Sequence, residues 1–293
     1  MADDEVAEYH RGGHRKRALN GRTRWPNADD TNNVLLVTRG HPFARDDFFE
    51  IFEQNPGIEW SGVEHPAAQK MFNPDFAEGF DCYVLYDMPG IVFNPGAEPT
   101  FFDPPSFYVD GLRALGDAGF PLVVMHHACA AWPTWPEWSE LVGSHFLYQP
   151  GLSRGTEVPD SGYVIDVPYT VTPVLDHPIT AGIEPFELVD ELYLNEVFED
   201  SVTPLFRSNY TFVEDNFYSA DLALKGQINS NDGWSHPPGS NLVGWIKTYR
   251  NSPIVYLQFG DGPATYHNEN FRRILANAIR WACSEEAGAW ARL

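Results

Sequence analysis

The stretch PLVVMHHACAAW, Pro121–Trp132, decides how this chain is read. Leu122, Val123, Val124 and Met125 form a short apolar run of the kind a strand buried on both faces requires. Two histidines follow it at once. Side chains alternate across a strand, so His126 and His127 cannot both enter the same core, and at least one stands where the chain leaves the sheet. In open parallel sheets, ligands bind at that carboxyl edge. The stretch therefore marks either a site or a tight packing corner.

Working outward, NVLLVTRGHPF reads as a first strand, Val34 to Thr38, running into a Gly-containing loop. ARDDFFEIFEQNPG follows as a short helix with acidic residues in its first turn and Asn-Pro-Gly as its stop. IEWSGVEH is a second strand, and FDCYVLYDMPG a third, apolar from Cys82 to Tyr86 and ending in Asp87. A helix around Ser106 to Leu115 precedes PLVVMHH. Strands alternating with helices predict βαβ units and a mostly parallel sheet with helices on both faces. In the second half, GYVIDVPYTVT, PFELVDELYLN, VTPLFRS, NLVGWIKTY and SPIVYLQFG are strands with short connections, which predicts antiparallel additions and a hairpin at RNSP. A final helix spans about Asn268 to Cys283, with Phe271, Ile274, Leu275, Ala278 and Ile279 on its apolar face. The stretch from Ser208 to Asn241 has no period and reads as a lid or binding loop. The organisation is a polar arm or tail over residues 1–32, one α/β domain over 33–284, and a short tail over 285–293.

Composition excludes several classes. A net charge of −22 opposes nucleic acid and anionic membrane surfaces at every contact. No run approaches the eighteen or so apolar residues of a spanning helix, and the N-terminus lacks the apolar centre of a secretory signal. Cys82, Cys129 and Cys283 form no CxxC pair and read as reduced thiols, so a cytoplasmic location is expected.

RGHPF, YVLYDM, PLVVMHHA, LVGSHF, DHPITAGI, DELY, LVGWIKTY and FRRILANAIRWA occur in the order found in ThuA-like (trehalose-utilisation) proteins, which the chain resembles from about Asn33 to Cys283. The resemblance implies a flavodoxin-like sheet of the class I glutamine-amidotransferase type. It also implies a link to disaccharide catabolism, with trehalose and 3-keto sugars as the substrate class. Where an amidotransferase carries its nucleophilic cysteine, this chain has His126, so glutamine hydrolysis is not carried over. Family members have a Gly-His-acidic motif after the last strand. Here the segment is FGDGPATYH, with Asp261 at the aligned position and His267 near enough in sequence to substitute.

Three readings of His126 and His127 stand side by side. They are acid/base residues acting on a sugar that carries a carbonyl, metal ligands completed by His41, Asp87, Glu191 or His267, or structural residues bonded to backbone. His41 lies on the first loop, with Arg39 beside it to hold a polar substrate. In DELY, alternation puts Glu191 and Tyr193 on one face and Asp190 on the other, so Glu191 is the candidate for orienting a histidine. Trp132, just past the histidines, is a candidate platform for a sugar face, with core packing as the alternative. Cys129 lies beyond the turn where a nucleophile would be aimed and reads as a buried hydrophobe; His177 in DHPIT reads as a turn residue. The expected catalytic set is His126, His127, His41 and Glu191, and the expected substrate-binding set is Arg39, Asp87, Trp132, Tyr193 and His267.

The function expected is a sugar-metabolising enzyme or enzyme component working by histidine acid/base chemistry. A non-catalytic sugar-binding or partner subunit is the alternative, and a metal-dependent hydrolase or lyase a further one. A divalent metal is left open as cofactor. No Gly-rich dinucleotide fingerprint follows any strand, so redox chemistry would need an oxidoreductase partner. A homo-oligomer is expected.

Overall fold

In the first strand, β1 (Asn32–Arg39), Val34 and Leu36 pack into one core layer while Leu35 and Val37 pack into the opposite one. Both faces of the strand are thus covered, which is why it reads as an unbroken apolar run. The computed structural model describes residues 31–94 and 98–293. The expected arm over 1–32 lies outside the described residues except for Thr31 and Asn32, and Asn32 is already paired in β1.

The other long strands are β2 (Ile58–Glu64), β3 (Cys82–Asp87), β4 (Leu122–Met125), β5 (Gly162–Pro173), β6 (Phe186–Leu194), β7 (Thr203–Ser208), β8 (Leu242–Tyr249) and β9 (Ser252–Leu257). They form one sheet in the order β6-β5-β7-β8-β9-β4-β3-β1-β2, with Tyr218–Ser219 added against β5. From β2 to β9 the pairs are parallel; from β9 through β8, β7 and β5 to β6 they are antiparallel. The expected hairpin is present: Tyr249 pairs with Ser252 across the turn Arg250–Asn251.

Helices cover both faces. α1 (Arg45–Glu53) buries Phe48, Ile51 and Phe52 on one side, and α2 (Ser106–Ala118) buries Tyr108, Leu112 and Leu115 on the other, joined there by α3 (Pro136–Val142) with Trp138, Leu141 and Val142. The long stretch after Ser208 contains a 3₁₀ turn (Glu214–Asn216), the two-residue strand Tyr218–Ser219 and a short helix, α4 (Ala220–Leu224). α5 (Glu269–Ala282) begins where Asn268 caps the backbone N–H groups of Asn270 and Phe271, and it buries the apolar face read from the sequence. Residues 285–293, expected as a tail, instead contain α6 (Glu285–Trp290). Its Trp290 ring lies 5.5 Å from Trp281, which gives this amphipathic end a surface to fold on.

Register sets the level of the site. Arg39 pairs with Asp87, and Leu85 with Val124, so the ends of β1, β3 and β4 reach the same carboxyl edge. His126 follows directly.

Candidate active site

The chain leaves β4 through a sharp turn. His126 has φ +49°, a left-handed conformation that costs a non-glycine residue about 1–2 kcal/mol. The fold holds it there by burial and hydrogen bonding. The His126 ring is 0% exposed, its Nδ1 donates to the Gln258 carbonyl at 2.6 Å, and its backbone carbonyl accepts from the Tyr256 hydroxyl. A carbonyl can only accept, so Nδ1 carries a proton and Nε2 is the nitrogen left to work.

Nε2 meets three oxygens. Glu191 Oε2 lies at 3.0 Å, the Tyr193 hydroxyl at 2.9 Å and Asp261 Oδ1 at 3.4 Å, while Tyr193 donates to Glu191 Oε2 at 2.7 Å. Glu191 and Tyr193 come from one face of β6, as the alternation of DELY requires. Asp190, on the other face, accepts from the backbone N–H groups of Gly260 and Asp261 and so fixes the turn that aims Asp261. Burial raises the Asp190 carboxyl to about 6.

His41 reaches the site because Gly40 turns the first loop with φ +106°, against the Met88 carbonyl, where a Cβ would have no room. Its ring stacks on His127 with centroids 4.5 Å apart. Among the described residues, neither ring nitrogen of His127 has a hydrogen-bond partner, and Nδ1 of His41 has none.

These neighbours drive the imidazoles apart. Burial pushes His126 down, but the hydrogen bonds and charges of Asp261 and Glu191 outweigh it and hold the ring well above its usual value. Burial opposes ionisation of Asp261 too, yet His126 keeps that carboxyl below its usual value. His127 is held well below its usual value by burial first, then by His41 and His126; His41 is lowered by burial and His126, only partly offset by Glu191 and Asp261. The cluster therefore favours an imidazolium at His126, set on carboxylates, beside imidazoles at His41 and His127 that favour the neutral form.

This arrangement sets a pH dependence of stability. A raised histidine stabilises fully below its unfolded value and loses that contribution as pH rises through the folded one. A lowered histidine does the opposite, because below about 6.5 the unfolded chain binds the proton that the fold refuses. Thermal stability is expected to peak near neutrality, with His41 and His127 contributing to the acid limb and His126 to the alkaline limb. His126→Gln should flatten the alkaline limb in melting curves from pH 7 to 9; an unchanged alkaline limb would refute the assignment.

His41, His127, Glu191 and Tyr193 line a cavity of about 570 Å³. Its other walls are aromatic and apolar: Phe93, Phe146, Tyr148 and Tyr163, with Leu224 and Ile228 from the stretch after Ser208. His126 stands behind this wall. Its Nε2 contact ties it to Glu191, the carboxylate that lines the cavity.

Four expected residues lie elsewhere. Trp132 is 1% exposed, packs on Tyr108 at 5.1 Å and belongs to the core. Asp87 is 1% exposed and bonded to His65 Nε2 at 2.6 Å, and Arg39 donates to the His65 carbonyl. His267 is half-exposed and paired with Asp47 at 2.8 Å, away from the cavity, while Asp261, at the position where the resemblance expects a histidine, lies 3.4 Å from His126 Nε2. His177 caps the Ile179 backbone N–H, a turn role. Burial pushes the Cys129 thiol up to about 12, which leaves it a poor nucleophile. The sequence reading missed Phe146, Tyr148 and Tyr163. Alternation in HFLY carried the signal for the first two, with Phe146 and Tyr148 on one side.

Among the described residues, His41, Glu191 and Asp261 have ligand atoms within 4.8 Å of one another, close enough to share a cation. No helix among the described residues is long and apolar enough to cross a membrane.

A family model described as "ThuA: Trehalose utilisation" matches residues 80–282. Among solved structures, a ThuA-like protein from Parabacteroides merdae ATCC 43184 is similar with TM-score 0.60 at 16% identity, over 87% of this chain and 90% of that one. A second, from Bacteroides uniformis ATCC 8492, gives TM-score 0.57 at 14% identity over 90% and 96%. No curated protein sequence is significantly similar.

Proposed function

This chain belongs to the ThuA family of trehalose utilisation, so its role is sugar-related, and from that premise we propose that it is an enzyme transforming a saccharide or keto-sugar by proton transfer in the 570 Å³ cavity. The observation that carries the reading is the separation of titrating groups: His126, behind the wall of the aromatic cavity, is driven up while His41 and His127, in that wall, are driven down. Groups whose environments push them apart in this way divide into acid and base.

A neutral imidazole at His127 or His41 can take the proton α to a ring carbonyl. The electron pair forms the enolate and expels the oxygen substituent β to that carbonyl. The Tyr193 hydroxyl, backed by the His126 imidazolium, returns a proton to the leaving oxygen. Phe146, Tyr148 and Tyr163 supply apolar faces for the C–H sides of the rings. A keto-sugar requires prior oxidation, which an oxidoreductase partner would perform. The test is incubation with trehalose and its keto form, with and without a nicotinamide-dependent oxidoreductase, followed by product analysis. Binding without any transformation would leave only the alternative of a sugar-binding subunit.

One observation favours a second reading, a metal-dependent hydrolase or lyase: the convergence of His41, Glu191 and Asp261. Mixed imidazole and carboxylate donors suit Zn²⁺ or Mn²⁺. The two readings separate on chelation. If proton transfer suffices, exhaustive chelation leaves turnover and melting temperature unchanged, which is the expected result. If a cation is required, chelation lowers both, and Asp261→Asn lowers metal content.

A further inference from the structure

A second cavity, of about 190 Å³, lies on the other side of the extended segment that follows α3. Successive side chains of an extended segment point opposite ways. Phe146 and Tyr148 line the main cavity, whereas His145 and Leu147 line the second. A short antiparallel ribbon pairs His145 directly with Glu196, so both side chains stand on one face. Next to them Asn195 is 3% exposed and lines the same cavity, yet neither its Oδ1 nor its Nδ2 has a hydrogen-bond partner among the described residues. The same holds for Oε2 of Glu196, which is also buried. A buried polar group left unpaired costs about 1–3 kcal/mol, a cost relieved when a ligand pairs it.

The polar atoms define what would fit. Nδ1 of His236 lies 2.6 Å from the Pro237 carbonyl and must carry the proton, which leaves Nε2 of the neutral ring as an acceptor. Acceptors on Asn195, Glu196 and His236 stand beside the amide donor of Asn195. Hydroxyl groups both donate and accept, so a polyol satisfies this set. An anion would meet the Glu196 carboxylate and a chain of net charge −22; an ammonium ion would leave the Asn195 amide donor unpaired. Leu147 and Pro237 offer apolar surface to the C–H faces of a ring. The volume equals that of about six liquid waters, enough for one sugar ring.

We propose that this cavity binds a single neutral sugar ring at Asn195, Glu196 and His236, separately from the main cavity. The proposal stands whether or not the main cavity is catalytic.

The test is a titration of the full-length protein with glucose, followed by NMR of the imidazole nitrogens, which resolves the two sites. The ring signals of His145 and His236 are expected to shift saturably. Asn195→Leu and Glu196→Gln should each weaken that response about tenfold, the loss of one good hydrogen bond. Glu191→Gln, in the main cavity, should leave the response in place. Should Asn195→Leu fail to fold, Glu196→Gln carries the test. A response confined to His41 and His127, or one at His145 and His236 that both variants leave unchanged, would overturn the proposal. A response at His145 and His236 without one at His41 and His127 would support it while counting against sugar binding in the main cavity.

Discussion

Glu191→Gln is expected to lower turnover of a keto-disaccharide by about a hundred- to ten-thousand-fold while changing sugar affinity little. Gln keeps the size and the acceptor oxygen of Glu but loses the charge. Among the described residues, Glu191 is the carboxylate that both faces the cavity and touches the His126–Tyr193 pair. Its carboxylate helps hold His126 protonated against complete burial and accepts a hydrogen bond from the Tyr193 hydroxyl at 2.7 Å. With Gln in its place the Tyr193 hydroxyl keeps only an uncharged acceptor and the imidazolium loses one of two counter-charges, so the His126–Tyr193 pair no longer holds the proton it must return. Proton return to the leaving oxygen then fails even though the aromatic walls still hold the sugar. The measurement is steady-state turnover beside equilibrium binding of the unreacted sugar. Equal losses in both would reduce Glu191 to a binding residue, and unchanged turnover would remove the mechanism.

Trp132→Ala is expected to destabilise the fold by about 3–5 kcal/mol, the usual cost of truncating a buried aromatic. For a domain of this size that lowers the melting temperature by about 6–20 °C. Trp132 is 1% exposed, among Tyr108, Phe102 and His65. The loop carrying Gly90 passes so close to its backbone that a Cβ there would meet Trp132 Cα at 2.8 Å. The cavity left behind cannot collapse without moving that loop. Sugar affinity of the fraction that remains folded should be unchanged, because the ring does not reach the main cavity. A loss of affinity at unchanged stability would restore Trp132 as a sugar platform.

The difference between Trp132 and Tyr148 shows where sequence reading stops. Both are aromatic residues near the histidines. Tyr148 lines the cavity because the segment after α3 runs extended and turns alternate side chains toward it, whereas Trp132 follows a tight 3₁₀ turn, His126–Ala130, that swings it under Pro89 and Gly90. A tryptophan's proximity in sequence says nothing of which side of such a turn it will take. His267 and Asp261 make the same point: six residues apart, one pairs with Asp47 in solvent and the other reaches a buried imidazole.

By itself the sequence determined the α/β architecture. Apolar runs as unbroken as Leu122–Met125 survive only between two covering layers, and the alternation within DELY is enough to put Glu191 and Tyr193 on one side. It also determined that His126 marks a strand's carboxyl end. The tertiary structure alone decided which polar residues meet there. Glu191 and Asp261 lie 65 and more than a hundred residues beyond His126, and only the crossing from β4 to β9 and out to β6 brings them to one nitrogen. Local periodicity reports which side of a strand a residue takes. The partner it finds there depends on strand order, which is set by how the two covering layers pack and leaves no local trace in the chain.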